Sequence, residues 1–252
     1  MFKLNGHVAV VTGGNGGIGL GMARGLAKAG ASLALWGRDQ EKNARAADEL
    51  KALGARAEAF VCDVGDEKQV AASTRATVEE LGRIDSCFAN AGVGLMKPFV
   101  DMTLEDWETV MRVNLTGVFL TLREAAKQMI SQGGGGKLIA TSSVGSLHGM
   151  PAQEPYAAAK AGVCALVRSL AVELARHDIQ ANAVLPGWVD TEMTAPAVAW
   201  DKFNEVVIKG RVPARRWGKP EDFEGVAVYL ASEQSRYHNG DVLRVDGGYA
   251  VF

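Results

Sequence analysis

The chain has 252 residues, and its hydrophobic fraction of 48% and charged fraction of 22% are typical of a soluble globular protein. With 27 basic and 29 acidic side chains, the formal net charge is −2, which gives no support to binding of nucleic acid or of an anionic membrane surface. No apolar run approaches the roughly 20 residues of a membrane span, and the N-terminal residues lack the pattern of a signal peptide.

The cysteines indicate a reducing compartment. Cys62, Cys87 and Cys164 lie far apart and inside apolar segments, so neither a disulfide framework nor a metal site is predicted. Isolated cysteines of this kind are usually small core hydrophobes. We therefore expect a cytoplasmic protein with reduced thiols and no bound metal.

Segments that favour strands alternate with helical patterns along the whole chain. Strands are predicted at residues 7–12, 32–36, 56–62, 84–89, 137–141, 179–185 and 242–245. Helices are predicted at residues 18–29, 40–53, 67–81, 104–130, 156–176 and 220–230, with a possible break in the fourth. This alternation predicts an α/β fold, a doubly wound parallel sheet of the Rossmann type with helices on both faces. No linker or internal repeat divides residues 1–252, which we interpret as a single domain.

A glycine-rich turn joins the first strand to the first helix. Residues 12–19 read TGGNGGIG, with glycines spaced Gly13-x3-Gly17-x-Gly19. Such glycines allow a tight turn and a close approach of backbone N–H groups, and the following helix N-terminus favours phosphate. The position in an α/β domain therefore predicts dinucleotide binding, although the spacing departs from the usual G-x-G-x-x-G.

The end of the second strand bears on the choice of dinucleotide. An acidic residue there binds the 2′-hydroxyl of NAD, whereas a nearby arginine accommodates the 2′-phosphate of NADP. Gly37 stands where the acid is expected, and Arg38 follows it, which favours NADP. Asp39 leaves NAD possible, unless its carboxylate caps the helix that begins at Gln40.

Tyr156 and Lys160 lie four residues apart on a predicted helix. They therefore share one face, where a neighbouring cation lowers the pKa of a phenol from its ordinary value of about 10. The pair fits an acid–base function, but taken alone such a pair is far more often an ordinary amphipathic surface feature.

Residues 188–216 form the longest stretch without a clear predicted element, and they are rich in aromatic side chains. Long segments of this kind often cover a substrate site, and we interpret this one as a substrate loop or lid. The alternative is a helical hairpin whose aromatic side chains cap the core.

The order of these motifs resembles that of the short-chain dehydrogenase/reductase family, in its main subfamily of similar length. The matching motifs are Thr12-x3-Gly-x-Gly, Asn90-Ala91-Gly92, Ser143, Tyr156-x3-Lys160 and Pro186-Gly187. Any one of them is weak, but together they span almost the whole chain.

The resemblance implies a catalytic set. Tyr156 would exchange the proton with the substrate oxygen, and Lys160 would lower the pKa of Tyr156 and bind the nicotinamide ribose. Ser143 would hold the carbonyl, with Ser142 as the alternative at this position. Asn114 would position Lys160 through a water molecule.

The resemblance also implies a cofactor-binding set drawn from the strand ends. Asp63 and Val64 would contact the adenine. The full expected set is Gly13, Asn15, Gly17, Ile18, Gly19, Arg38, Asp63, Val64, Asn90, Ala91, Gly92, Tyr156, Lys160, Pro186, Gly187, Val189 and Thr191.

Two functions follow as hypotheses. The first is an NADP(H)-dependent oxidoreductase of a ketone or secondary alcohol, with a 3-oxoacyl thioester or a keto sugar acid as substrate. His148, Gln153 and Glu154, between Ser143 and Tyr156, are candidates for substrate contacts or for ordinary loop polarity. The second is a regulator that binds NADP(H) without catalysis. The resemblance further implies a homotetramer.

Overall fold

The computed structural model describes residues 2–252, and seven parallel strands in this range form one sheet. Their bounds are Val8–Thr12 (β1), Ser32–Gly37 (β2), Ala57–Val61 (β3), Ser86–Ala89 (β4), Gly136–Thr141 (β5), Ile179–Pro186 (β6) and Val242–Val245 (β7). The strand order is β3–β2–β1–β4–β5–β6–β7. All seven predicted strands are found, each within two residues of its predicted bounds.

Helices connect the strands and cover both faces of the sheet. Their bounds are Gly17–Lys28 (α1), Gln40–Ala52 (α2), Glu67–Leu81 (α3), Leu104–Met111 (α4), Gly117–Gln132 (α5), Glu154–Leu174 (α6), Ala195–Val198 (α7), Asp201–Phe203 (α8) and Glu224–Ala231 (α9). The last predicted helix begins later than expected, because Pro220–Phe223 forms a separate turn of 3₁₀ helix. The predicted doubly wound α/β fold is confirmed.

The strands are buried on both sides, so alternate residues enter two different cores. Val10 and Trp36 point into the core against α3, α5 and α6, whereas Val11 and Leu35 point into the core against α1, α2 and α9. This explains why the strand sequences are nearly continuous apolar runs.

The long helical segment after β4 is continuous but not uniform. Residues Arg112–Thr116 form a turn of π-helix between α4 and α5. The expected break is therefore a local widening of the helix, of a kind that often lies at functional sites.

Residues 188–216 contain short helices, in agreement with the second of the two interpretations. Trp188 contacts Phe203 and Tyr249, with ring centroids 4.7 and 6.3 Å apart. These rings pack around the buried side chains of Val144 and Val212, beside the turn that carries Ser143. The aromatic side chains thus hold the segment against the body of the protein. Its function as a lid stays a prediction.

Gly21 of α1 allows a close approach of the segment that precedes α9. This contact predicts a sharp difference in stability between two glycine-to-alanine substitutions. A Cβ atom at Gly21 would lie 2.0 Å from the carbonyl oxygen of Pro220, whereas one at Gly225 on α9 would meet nothing within 4 Å. We expect Gly21→Ala to lower the free energy of unfolding by about 1–3 kcal/mol, because backbone atoms must move apart.

The matched variant Gly225→Ala should leave that free energy unchanged or raise it by up to about 1 kcal/mol through helix propensity. Urea unfolding of both variants measures the difference. Equal stability of the two variants would contradict this account of the α1–α9 contact.

Candidate active site

A cavity of about 310 Å³ opens at the carboxyl edge of the sheet. It lies at the ends of β1 and β4, neighbouring strands whose connections to the next strands run in opposite directions along the sheet. Ligands of open α/β sheets bind at such a point, because the loops after the two strands leave in opposite directions. Fourteen of the predicted site residues line the cavity: Gly13, Asn15, Gly17, Ile18, Asn90, Ala91, Gly92, Ser143, Tyr156, Lys160, Pro186, Gly187, Val189 and Thr191.

The glycine-rich turn has the conformation that its sequence demands. Gly13 and Gly17 have φ angles of +63° and +49°, which residues with a side chain rarely adopt. Gly19 has another role, because a Cβ atom there would lie 2.3 Å from the carbonyl oxygen of Gly13. Gly19 therefore lets α1 pack directly against the turn. Gly19 itself does not line the cavity.

A chain of hydrogen bonds links this turn to the predicted catalytic lysine. The Asn90 side chain donates to the Thr12 carbonyl at 3.1 Å and accepts from the Thr141 hydroxyl at 3.1 Å. The Lys160 Nζ atom donates to the Thr141 carbonyl at 2.8 Å. The ends of β1, β4 and β5 are thereby held in one fixed arrangement.

Asn114 lies in the π-helical turn and is fully buried. Its side chain accepts from the Val93 N–H at 3.0 Å and donates to the Val93 carbonyl at 2.8 Å, so it fixes the segment after β4. A Cβ atom on Gly92 would lie 2.7 Å from Asn114 Oδ1 and 3.7 Å from Lys160 Nζ. Only glycine at position 92 leaves space between Asn114 and Lys160, and Asn114 does not itself line the cavity.

The two neighbouring serines have different surroundings. The Ser142 hydroxyl donates to the Lys160 carbonyl at 2.7 Å, which ties β5 to α6. Ser143 caps the turn that follows, and its hydroxyl accepts from the Gly145 N–H at 3.1 Å. Its proton is therefore free to be donated toward Tyr156 or a substrate, which favours Ser143 over Ser142 as the carbonyl-binding residue.

Burial alters the acid–base properties of Tyr156 and Lys160. It raises the pKa of the Tyr156 phenol, and the adjacent Ser143 hydroxyl opposes that increase. Burial also lowers the pKa of Lys160 to about 8. The net shift of the Tyr156 pKa is upward instead of the expected lowering, because burial outweighs the effect of a Lys160 Nζ atom that is directed to Thr141 and lies 5.6 Å from the centre of the Tyr156 ring.

The end of β2 has no room for an acidic side chain. A Cβ atom on Gly37 would lie 2.5 Å from both Asn15 Nδ2 and Asn43 Oδ1, which form a 2.7 Å hydrogen bond with each other. Asp39 caps α2 by accepting from the Lys42 N–H at 2.9 Å, as the second interpretation of this residue required. Arg38 is exposed at the same strand end and does not line the cavity.

Two further predicted residues lie outside the cavity lining. Asp63 accepts from Arg112 at 2.9 Å and from the Gly65 N–H at 2.9 Å, and these bonds help to lower the pKa of its carboxyl group against the effect of burial. Val64 is buried against Gly117. Both follow β3, so contacts with an adenine stay a prediction.

The cavity has lining residues that the sequence motifs did not reveal. Lys42 comes from α2, and Glu192, Met193 and Thr194 come from the segment after β6. Lys42 lies four residues after Arg38, in the first turn of α2, and this nearness in sequence was the available signal. For the other three no sequence signal exists, since their position depends on how the segment folds.

Two other properties concern residues 2–252 as a whole. None of their helices combines the length and apolar character that a membrane crossing demands. They contain no cluster of three potential metal ligands, and their three cysteines are free and buried.

The chain is similar to known dehydrogenases along its whole length. A family model described as enoyl-(acyl carrier protein) reductase matches residues 13–250. Gluconate 5-dehydrogenase of Gluconobacter oxydans (strain 621H) is 39% identical, with 100% of this chain and 97% of the relative covered. 2-Dehydro-3-deoxy-D-gluconate 5-dehydrogenase of Pseudoalteromonas atlantica (strain T6c / ATCC BAA-1087) is also 39% identical, with 98% and 97% covered.

A solved structure is equally similar. Gluconate 5-dehydrogenase from Burkholderia cenocepacia J2315, in complex with NADP and tartrate, has a TM-score of 0.95 and 39% identity, with 100% of this chain and 98% of that chain covered. The fold and site thus define an oxidoreductase that acts on CH–OH and C=O groups. The chain belongs to the short-chain dehydrogenase/reductase family.

The buried lysine should make stability depend on pH. The pKa of Lys160 is about 8 in the folded protein against an ordinary value of 10.5, so folding disfavours its charged form. The penalty is complete below pH 8, declines between pH 8 and 10.5, and is absent above that range; at neutral pH it is on the order of 3 kcal/mol. We expect Lys160→Met to raise the free energy of unfolding at pH 7, by an amount that shrinks toward pH 10.

Chemical denaturation across this pH range measures the effect. Lys202→Met, at an exposed position, is the control and should give a difference that does not vary with pH. A Lys160→Met difference that stayed constant from pH 7 to pH 10 would contradict the burial of a charged lysine.

Proposed function

We propose that the chain is an NADP(H)-dependent dehydrogenase that interconverts a hydroxyl group and a keto group of a sugar acid. One observation carries the proposal: a single cavity joins a glycine-rich, phosphate-binding turn to Ser143, Tyr156 and Lys160. The turn provides for a dinucleotide and the three side chains provide for a carbonyl, so both reactants of a hydride transfer fit one site.

The choice of NADP rests on the end of β2. The space that an acidic side chain needs at position 37 is filled by the Asn15 and Asn43 amides, and Arg38 supplies a planar cation for a phosphate. Asp39 is engaged as the cap of α2. NAD(H) remains an alternative cofactor, and the relative from Burkholderia cenocepacia is described with NADP.

In this mechanism the nicotinamide supplies or accepts the hydride, and the protein controls one proton. During reduction, Tyr156 donates its proton to the carbonyl oxygen while the Ser143 hydroxyl donates a hydrogen bond to the same atom. Lys160, buried and cationic below pH 8, stabilises the phenolate that Tyr156 becomes. Asn114 fixes the segment beside Lys160 and so acts as a positioning residue.

The substrate class is inferred from the relatives and from side chains that pack near Val144, the residue after Ser143, outside the cavity lining. Both curated relatives cited above are named for reactions at the 5-position of a gluconate-type acid. In this chain the Arg211 guanidinium lies over the Tyr249 ring, 4.3 Å from its centroid, and the His148 ring packs edge-on against the same ring with centroids 5.8 Å apart. A cation and an imidazole suit a carboxylate and hydroxyl groups better than an acyl chain.

Replacement of Tyr156 tests the reaction. We expect Tyr156→Phe to lower kcat by at least about 100-fold, because proton transfer to the substrate oxygen is lost. Binding of NADPH should be retained. Loss of NADPH absorbance with a keto sugar acid measures turnover, and fluorescence titration measures binding.

Tyr237→Phe is the matched control, since Tyr237 is fully exposed, and it should be fully active. An active Tyr156→Phe variant would rule out the mechanism. Turnover of a 3-oxoacyl thioester but of no keto sugar acid would rule out the proposed substrate. A protein that binds NADPH but reduces neither would instead support the regulator without catalysis.

We also propose a homotetramer in the cytoplasm. Large apolar side chains are exposed on α5, α6 and the C-terminal turn: Phe119 (42%), Val172 (82%), Val251 (70%) and Phe252 (74%). Exposed apolar groups of this size are typical of an interface. Light scattering should give about four times the chain mass of 26.6 kDa, and Val172→Glu should give a smaller particle. A monomeric mass for the unmodified chain would contradict the proposal.

A further inference from the structure

An ion pair lies across the cavity between two distant segments of the chain. The Lys42 Nζ atom, from α2, donates to both carboxylate oxygens of Glu192 at 2.8 and 2.7 Å. Both residues line the cavity. Lys42 and Glu192 are 150 residues apart, so the pair joins the wall after β2 to the wall after β6.

The surroundings of the pair place it over the glycine-rich turn. Asn43, the residue after Lys42, binds Asn15 of that turn at 2.7 Å. Thr191, the residue before Glu192, lies so close to the turn that a Cβ atom on Gly17 would be 3.2 Å from its methyl group. The Lys42–Glu192 pair therefore bridges the first turn of α2 and the segment after β6, and the neighbours of both residues contact the glycine-rich turn.

Two cations, Arg38 and Lys42, follow the end of β2, and of these two Lys42 lines the cavity. Arg38 lies at the same strand end but is absent from the lining. Lys42 is half-exposed and Glu192 is largely exposed, with side-chain exposures of 38% and 85%. An exposed pair of this kind contributes little to stability, so a stronger anion can displace Glu192 at low cost.

We propose that Lys42 is a cofactor-selecting residue. In the free protein the Lys42 ammonium is paired with Glu192, and the 2′-phosphate of NADP(H) displaces the Glu192 carboxylate from it on binding. This inference rests on the proposed use of NADP(H). A ribose phosphate carries a charge near −2 and three acceptor oxygens, so it competes for the ammonium better than a carboxylate does. NAD(H) has no such phosphate and leaves the ion pair intact.

Competition by Glu192 gives the proposal a distinctive signature in binding. We expect Glu192→Gln to lower the Kd for NADPH about three-fold, because a competing carboxylate is removed, and Lys42→Gln to raise it about ten-fold. The Kd for NADH should change less than two-fold in both variants. In the double variant Lys42→Gln/Glu192→Gln, the gain from Glu192→Gln should vanish, because the ammonium that both anions share is absent.

Fluorescence titration of the whole protein with NADPH and with NADH, without substrate, measures these constants. Glu205→Gln is the matched control, because Glu205 forms an exposed pair with Lys209 in the same segment and lies outside the cavity lining. It should leave both constants unchanged.

The outcomes separate the inference from the proposed function. A wild-type protein that prefers NADPH, but whose Kd is unaffected by Lys42→Gln, overturns the inference and leaves the proposed function standing. A gain from Glu192→Gln that persists in the double variant, or that appears equally with NADH, also overturns it. A wild-type protein without any preference for NADPH overturns both.

Discussion

The site depends on one set of hydrogen bonds at the point where the sheet connections reverse direction. Asn90 joins the end of β1 to the end of β5 through hydrogen bonds to Thr12 and Thr141, and the Thr141 carbonyl accepts a hydrogen bond from Lys160. The glycine-rich turn and Lys160 are therefore joined by one continuous set of hydrogen bonds. The proposed reaction needs a hydride donor and a carbonyl positioned to within a fraction of an ångström, and hydrogen bonds that hold three strand ends together favour such positioning.

The same set of hydrogen bonds explains why a charged lysine is tolerated in the interior. Lys160 is buried, and burial alone lowers its pKa to about 8. Its ammonium keeps the Thr141 carbonyl as a partner, and the Ser142 hydroxyl fixes its backbone. Burial of the Lys160 cation thus lowers the stability of the fold, and it places a positive charge 5.6 Å from the centre of the Tyr156 ring. Burial raises the pKa of Tyr156, so the phenol is protonated at neutral pH, as the proposed role of an acid during reduction requires.

Periodicity and glycine position predicted most of the fold, because both are local properties. The continuous apolar strands required a sheet covered on both faces, and Gly13 and Gly17 required a turn with positive φ. For residues 188–216 the sequence left two interpretations open, since the contact of Trp188 with Tyr249 joins segments that are far apart in the chain. The pairing of Lys42 with Glu192 escaped detection for the same reason: no local pattern links residues 150 positions apart.

The proposed preference for NADP(H) has a steric component at Gly37 and an electrostatic component at Arg38. The steric component involves buried packing, whereas the electrostatic one involves an exposed side chain. Arg38 is exposed, so its charge belongs to the surface. Gly37, by contrast, is enclosed by the Asn15–Asn43 hydrogen bond, and Asn43 also donates to the Gly37 carbonyl at 2.8 Å. An acidic side chain at position 37 would displace both amides and so distort the glycine-rich turn itself. The packing that leaves no room for an acidic side chain at position 37 is thus the same packing that shapes the glycine-rich turn, whereas Arg38 and Lys42 lie beside the turn and can vary independently of it.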